Sequence, residues 1–128
     1  MTTSRSKLNE QIRYEIKLFE SLLSQKPHYA EALVALADLY TKIGEIKKGL
    51  VLDERLAVLL PDDDTVFYNL ACSLCLTGQI KKAYEALKQA VDLGYDDLEH
   101  LKHDSDLKLL RKSKIYGPKL RLLLPSKK

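Results

Sequence analysis

Two residue pairs in the sequence have a spacing that could support metal binding or redox chemistry. Cys72 and Cys75 form a Cys-x-x-Cys pair, and His100 and His103 stand three positions apart among acidic neighbours. The cysteine spacing occurs in redox enzymes and zinc sites, and imidazoles one helical turn apart can ligate metals. The run 65–80 around the cysteines contains no charged residue that could lower a thiol pKa, and a zinc ion would need two further ligands. We therefore predict no metal site and no cofactor.

The rest of the sequence contains no pattern typical of an enzyme. It has no glycine-rich phosphate-binding loop, no nucleophile elbow and no ordered set of Ser, His and Asp residues. Its 128 residues, 45% hydrophobic and 30% charged, are typical of one folded domain and exclude disordered, collagen-like and disulfide-stapled chains. We expect a protein that is not an enzyme.

Hydropathy predicts no membrane span and no secretory signal. The longest uncharged run, 65–80, is shorter than the roughly 18 apolar residues that a span requires. The N-terminal segment before Leu8 contains no apolar stretch, so we expect a cytoplasmic protein. In that compartment its two cysteines would be reduced thiols.

An internal repeat determines the elements that must position any site. The segment Gly44-Glu-Ile-Lys-Lys-Gly49 recurs as Gly78-Gln-Ile-Lys-Lys-Ala83. The same shift aligns further apolar and small residues, pairing Leu33 with Phe67, Leu36 with Leu70, Ala37 with Ala71 and Leu59 with Leu93. Within one repeat we predict a helix over 30–43, a turn at Gly44 and a helix over 46–59 that ends before Pro61. The small residues Ala37 and Ala71 would lie where two helices cross.

The spacing of these residues, a 34-residue period, resembles the tetratricopeptide repeat over residues 8–97. In the first repeat Leu33, Leu36, Ala37 and Tyr40 match the pattern, although Gly49 and Asp53 depart from it. The resemblance implies an all-α fold, an α-α superhelix (a solenoid) of antiparallel helix pairs. As a single domain over 1–128 it would comprise an N-terminal capping helix (8–26), repeats over 30–63 and 64–97, and C-terminal capping helices with a basic tail (98–128).

The C-terminal segment also resembles the ending of many bacterial tetratricopeptide arrays. The match consists of Leu101, Asp104, Leu107, Leu110 and Arg111, after a glycine followed by an aromatic residue. The resemblance implies that this segment packs on the last repeat as a lid and favours a bacterial protein. Asp104 or the serine after it could cap a helix, and Pro118 would suit the first turn of a last helix.

Proteins of this family hold a partner peptide or helix in a concave groove, which the resemblance places on the first helix of each repeat. The implied adaptor would bind an unidentified protein through the following residues: Glu31, Val34, Ala35, Asp38, Thr41, Lys42, Thr65, Tyr68, Asn69, Cys72, Cys75 and Leu76. Tyr68, Cys72 and Leu76 would be the apolar anchors, and Glu31 and Asp38 would prefer a basic partner. The alternative is an ordinary solvated or self-associating face. The lysine and asparagine set that clamps a C-terminal carboxylate is incomplete, so we do not predict that ligand.

The C-terminal end of the chain carries an uneven share of the charge. Residues 107–128 contain eight basic residues and no acidic one, whereas residues 1–106 contain 13 basic and 18 acidic residues. The basic patch comprises Lys108, Arg111, Lys112, Lys114, Lys119 and Arg121, followed by Lys127 and Lys128. It could bind an anionic membrane surface or nucleic acid, although we favour a solubilising cap and do not expect a nucleic-acid partner. A homodimer formed through Leu8 to Leu23, or through the leucines of the tail, is an open alternative.

Overall fold

The computed structural model describes residues 4–124, and within that range the chain is helical apart from its turns. The described α-helices are α1 (Ser4–Gln25), α2 (Ala30–Lys42), α3 (Ile46–Leu59), α4 (Asp64–Leu76), α5 (Ile80–Asp92), α6 (Leu98–His103), α7 (Lys108–Lys112) and α8 (Tyr116–Leu123). A 3₁₀ turn, Ser105–Leu107, separates α6 from α7. No strand occurs among the described residues, which confirms the all-α prediction. None of these described helices combines the length and apolar character needed to cross a membrane.

The chain divides into two compact units, Met1–Leu59 and Leu60–Lys128. In the first unit, α2 packs against both α1 and α3. In the second unit, α4 packs against α5, and the 3₁₀ turn, α7 and α8 pack onto this pair. Consecutive helices joined by short turns therefore form pairs, as predicted.

The predicted helix bounds agree closely with the observed ones. Helices α2 and α3 match the predicted ranges 30–43 and 46–59, and Pro61 follows α3 in the next turn. Helix α1 begins at Ser4, before the predicted start at residue 8. Pro118 lies in the first turn of α8, where its fixed φ is compatible with a helix, as predicted.

The turns after α2 and α4 show the sequence repeat as repeated geometry. Gly44 and Gly78 have φ of 85° and 81°, which a residue with a Cβ adopts only at a cost. The residue after Gly44 donates its N–H to the Tyr40 carbonyl at 2.8 Å, and the residue after Gly78 donates to the Leu74 carbonyl at 2.9 Å. Both helices thus end in the same glycine-dependent cap, which satisfies carbonyl groups that the helix leaves free.

Small residues allow α2 and α3 to cross closely. A Cβ placed on Gly49 would lie 2.9 Å from Thr41 Oγ1 and 3.2 Å from the Ala37 carbonyl oxygen. Ala83, the counterpart of Gly49 in the second repeat, is fully buried in the second unit. Gly49 and Ala83, which occupy equivalent positions in the sequence repeat, are thus both small and buried where two helices pack together.

Helix α1 packs on α2 through apolar side chains and is also linked to it by a hydrogen bond. Ile12 and Ile16 are buried, and the Tyr40 hydroxyl donates a hydrogen bond to Glu20 Oε2 at 2.5 Å. Burial and this bond to a carboxylate raise the pKa of Tyr40 to about 12. The contact connects the predicted capping helix to the first repeat.

Candidate protein-interaction site

Helix α2 presents a row of exposed residues that the sequence had assigned to partner binding. Glu31, Val34, Asp38 and Lys42, which we call the α2 stripe, recur at helical spacing and are all exposed. Val34 is 40% exposed, and Asp38 Oδ2 lies 3.0 Å from Lys42 Nζ. The stripe therefore combines an accessible apolar side chain with charged neighbours one turn away on each side.

Thr41, predicted to belong to the same face, lies where α2 and α3 cross. Its side chain is half-buried, and its hydroxyl donates to the Ala37 carbonyl at 3.1 Å. It also lies against Gly49 on α3. Thr41 therefore lies where α3 approaches α2, and its assignment to the partner-binding face stays a prediction. Ala35, next to the stripe, is half-buried.

On α4, the predicted anchor Tyr68 is buried rather than free. Its ring stacks on Tyr95 with the centroids 4.3 Å apart and the planes 10° from parallel. Its hydroxyl donates a hydrogen bond to Asp104 Oδ2 at 2.6 Å. We call residues 98–124, which contain Asp104 and helices α6 to α8, the C-terminal cap.

The cysteine pair is also buried within the second unit. Both residues are free thiols, and Cys72 Sγ donates to Asp104 Oδ2 at 3.6 Å. Burial raises the pKa of the Cys72 thiol well above its ordinary value, and the carboxylates of Asp104 and Asp106 raise it further. Burial likewise raises the pKa of Cys75.

The predicted partner-binding face is therefore wrong at Tyr68, Cys72 and Cys75. These side chains are buried, and the cap residue Asp104 bonds directly to two of them. The remaining predicted residues of α4 are more accessible: Thr65 and Leu76 are exposed, and Asn69 is half-buried. Much of the face that we had assigned to a partner is thus closed by the chain itself.

The side chain of Asp104 connects the C-terminal cap to α4. Its Oδ1 accepts the N–H of Asp106 at 2.9 Å, which confirms the predicted helix-capping role. Its Oδ2 accepts from Tyr68 and also lies 3.2 Å from His100 Nε2. The sequence predicted the helix-capping role of Asp104 but did not predict its contact with Tyr68. No local spacing connects two residues so far apart along the chain.

The same residues form the group that could offer ligands to a metal ion. Cys72 Sγ and one oxygen each from Asp104 and Asp106 lie within 4.8 Å of one another. A metal-binding cysteine must be a thiolate, whereas the environment of Cys72 favours the protonated thiol, which donates to Asp104. The two histidines contact different carboxylates, because His103 Nε2 lies 3.6 Å from Glu99 Oε2. The hydrogen bonds that Asp104 makes with Cys72 and with the N–H of Asp106 account for the close approach of these three residues.

The basic patch is exposed except at one position. Lys108, Lys112, Lys114, Lys119 and Arg121 are exposed, whereas Lys127 and Lys128 lie outside the described residues. Arg111 is half-buried, and its Nη1 donates to the carbonyl oxygens of Leu101 at 3.1 Å and Asp104 at 2.7 Å. The guanidinium group of Arg111 therefore connects α7 to the end of α6, and the role of Arg111 in a basic patch stays a prediction.

Comparison with known proteins shows a partial likeness to a plant protein. No family model matches the chain. The chain is 39% identical over 88 residues to a chloroplastic protein of Arabidopsis thaliana. The match covers 64% of this chain and 25% of that protein, so the chain spans about a quarter of the length of the curated relative it matches.

Proposed function

We propose that this protein is a non-enzymatic interaction module of the tetratricopeptide type that binds a segment of a partner protein along the α2 stripe. The observation that carries the proposal is the exposure of Val34 between charged residues on a helix whose other sides pack against α1 and α3. An apolar anchor with charged neighbours is a common arrangement at protein interfaces. The recurrence of sequence and of helix-ending turns supports the repeat assignment.

The chemistry of the stripe indicates the kind of partner. Glu31 and Asp38 flank Val34 by one helical turn each, so a partner segment with an apolar side chain next to a basic one would match both. Lys42 already pairs with Asp38, which leaves Glu31 as the first choice for a basic partner group.

A cytoplasmic location is part of this proposal. Cys72 and Cys75 are free thiols, and free thiols are typical of proteins in a reducing compartment. Self-association through the same stripe is the competing use of this face, and the experiment below distinguishes the two.

The test is an affinity capture from nuclease-treated native lysate with two matched variants. Val34→Arg places a charge in the stripe, and Val58→Arg makes the same change on α3, where Val58 is 80% exposed. We expect Val34→Arg to reduce partner retention about tenfold, or about 1.4 kcal/mol, and Val58→Arg to leave it unchanged. Retention that is equal in both variants would contradict the proposal. Light scattering on the purified protein reports whether the bound species is a second copy of the chain.

A further inference from the structure

The outer surface of the C-terminal cap combines exposed aliphatic side chains with a single sign of charge. Leu109, Ile115 and Leu122 are 55%, 64% and 86% exposed, respectively. Residues 107–124 contain six basic residues and no acidic one. Single exposed aliphatic side chains are ordinary on protein surfaces. Three of them in one short segment whose charged residues are all basic are not explained by solubility.

Helix α8 and the residue before it show how these side chains are arranged. Ile115, Lys119 and Leu122 stand at positions i, i+4 and i+7, which brings them to one side of the helix. The opposite side carries Gly117 and Leu120, which are buried. One side of α8 is therefore packed inside the second unit, and the opposite side is open and carries two aliphatic side chains with Lys119 between them.

The inner side of α8 is fixed tightly enough to hold the outer side in place. A Cβ on Gly117 would lie 2.6 Å from the Arg111 carbonyl oxygen, so α7 and α8 approach each other closely. Arg111 in turn donates to two backbone carbonyls of the cap. The outer side chains are not needed for these contacts, because Leu109, Ile115 and Leu122 project into solvent.

We propose that this outer face docks on the surface of an anionic lipid bilayer. It comprises the exposed residues Lys108, Leu109 and Lys112 of α7 together with Ile115, Lys119 and Leu122 at α8, which we call the basic–apolar face. A bilayer of this kind offers anionic headgroups to the lysines and an apolar region just beneath them to the aliphatic side chains. The outer surface of a nucleic-acid duplex is dominated by solvated phosphates, which match the lysines but give exposed leucine and isoleucine side chains little to pack against.

This inference does not depend on the proposed function. The α2 stripe belongs to the first unit, whereas the basic–apolar face belongs entirely to the second. A variant of one face leaves the residues of the other unchanged. Failure of lipid binding would therefore not bear on partner binding, and the reverse also holds.

The experiment is co-sedimentation of the full chain with vesicles of phosphatidylcholine alone and with about 30 mol% phosphatidylglycerol. The test variant is Leu109→Ser/Ile115→Ser/Leu122→Ser, which keeps every cation. The matched control is Leu18→Ser/Val51→Ser/Val58→Ser, which removes three exposed aliphatic side chains from the first unit. A charge variant, Lys112→Gln/Lys119→Gln, tests the headgroup contribution. Circular dichroism and thermal unfolding confirm that each variant is folded.

We expect the parent to bind the anionic vesicles at least about tenfold more tightly than the neutral ones, and about 0.5 M salt to weaken that binding. The serine variant of the cap should lose about tenfold in affinity, and the control should retain the parental value. The charge variant should lose about fivefold per lysine.

Several results would overturn the proposal. One is no binding of the parent to anionic vesicles. Another is binding that the serine variant of the cap retains in full, because cations alone would then suffice. Tighter binding of the parent to a duplex oligonucleotide or RNA than to the vesicles, unaffected by the serine changes, would assign the face to nucleic acid instead.

Discussion

The contact between Asp104 and Tyr68 gives the sharpest prediction for the stability of the second unit. Replacing Asp104 with alanine removes the side chain that caps the 3₁₀ turn, a loss of about 1 kcal/mol. It also removes a charged acceptor from the buried Tyr68 hydroxyl, which costs about 2 kcal/mol. We therefore expect Asp104→Ala to lower the free energy of unfolding by about 3 kcal/mol.

A double-mutant cycle isolates the hydrogen bond within that total. Tyr68→Phe removes the donor alone, and we expect it to cost about 1.5 kcal/mol. If the bond contributes as the geometry indicates, the double variant is less destabilised than the sum of the single changes by about 1.5 kcal/mol. Urea unfolding followed by far-ultraviolet circular dichroism provides the free energies for all four proteins.

Asp106→Ala is the matched control, because it lies two positions after Asp104 and also replaces a carboxylate side chain with a methyl group. Burial raises the pKa of Asp106, and the nearby Asp104 carboxylate raises it further. A carboxyl group with a raised folded-state pKa contributes most to the stability of the fold below its ordinary pKa. This contribution is lost as the pH rises through the raised pKa. The ionised Asp106 is therefore unfavourable at neutral pH, so its removal should be neutral or slightly stabilising there. A coupling energy below about 0.5 kcal/mol, or an Asp106→Ala cost equal to that of Asp104→Ala, would refute the assigned role of Asp104.

Three further predictions test the packing of each unit. Cys72 and Cys75 should react with iodoacetamide at least about tenfold more slowly in the folded protein than in urea, because both thiols are buried and burial raises their pKa values; equal rates would contradict the burial. Because the pKa of Tyr40 is raised to about 12, the stability that Tyr40 contributes is complete below its ordinary pKa near 10 and is lost as the pH rises towards 12. Tyr40→Phe should therefore weaken the fall in the free energy of unfolding over this alkaline range. An unchanged pH dependence in the variant would contradict the assigned contact. Gly117→Ala should lower the free energy of unfolding by about 2 kcal/mol, because the added methyl would meet the Arg111 carbonyl oxygen, and a thermal shift within error of the parent would show that the helices can separate.

The sequence was sufficient for the helices and their turns because those depend on local and periodic signals. Gly44 and its repeat counterpart Gly78 each follow the end of a helix and have a positive φ. The internal repeat therefore predicted both turns. The capping role of Asp104 was predictable for the same reason, since its Oδ1 bonds to the N–H two positions later. These features require no knowledge of how distant segments pack.

The exposure of the candidate site residues could be predicted from the sequence only where no later segment covers them. Helical spacing shows which residues share a face, as it did for Val34 and Asp38, but it does not show what packs on that face. Tyr68 and Cys72 share a face of α4 that the cap covers through Asp104, which lies far along the chain from both. Likewise, the charge of Arg111 gave no sign that its guanidinium group would be used for backbone carbonyls within the fold.

The most direct test of the central claim is site-specific photo-crosslinking at the α2 stripe. A benzophenone amino acid is placed at Val34 in one protein and at the more exposed Val58 on α3 in another. After irradiation in native lysate, our account predicts a discrete adduct with a partner protein at position 34, competed by unlabelled parent, and no such adduct at position 58. Adducts of equal yield at both positions, or at position 58 alone, would contradict the assignment of partner binding to the α2 stripe.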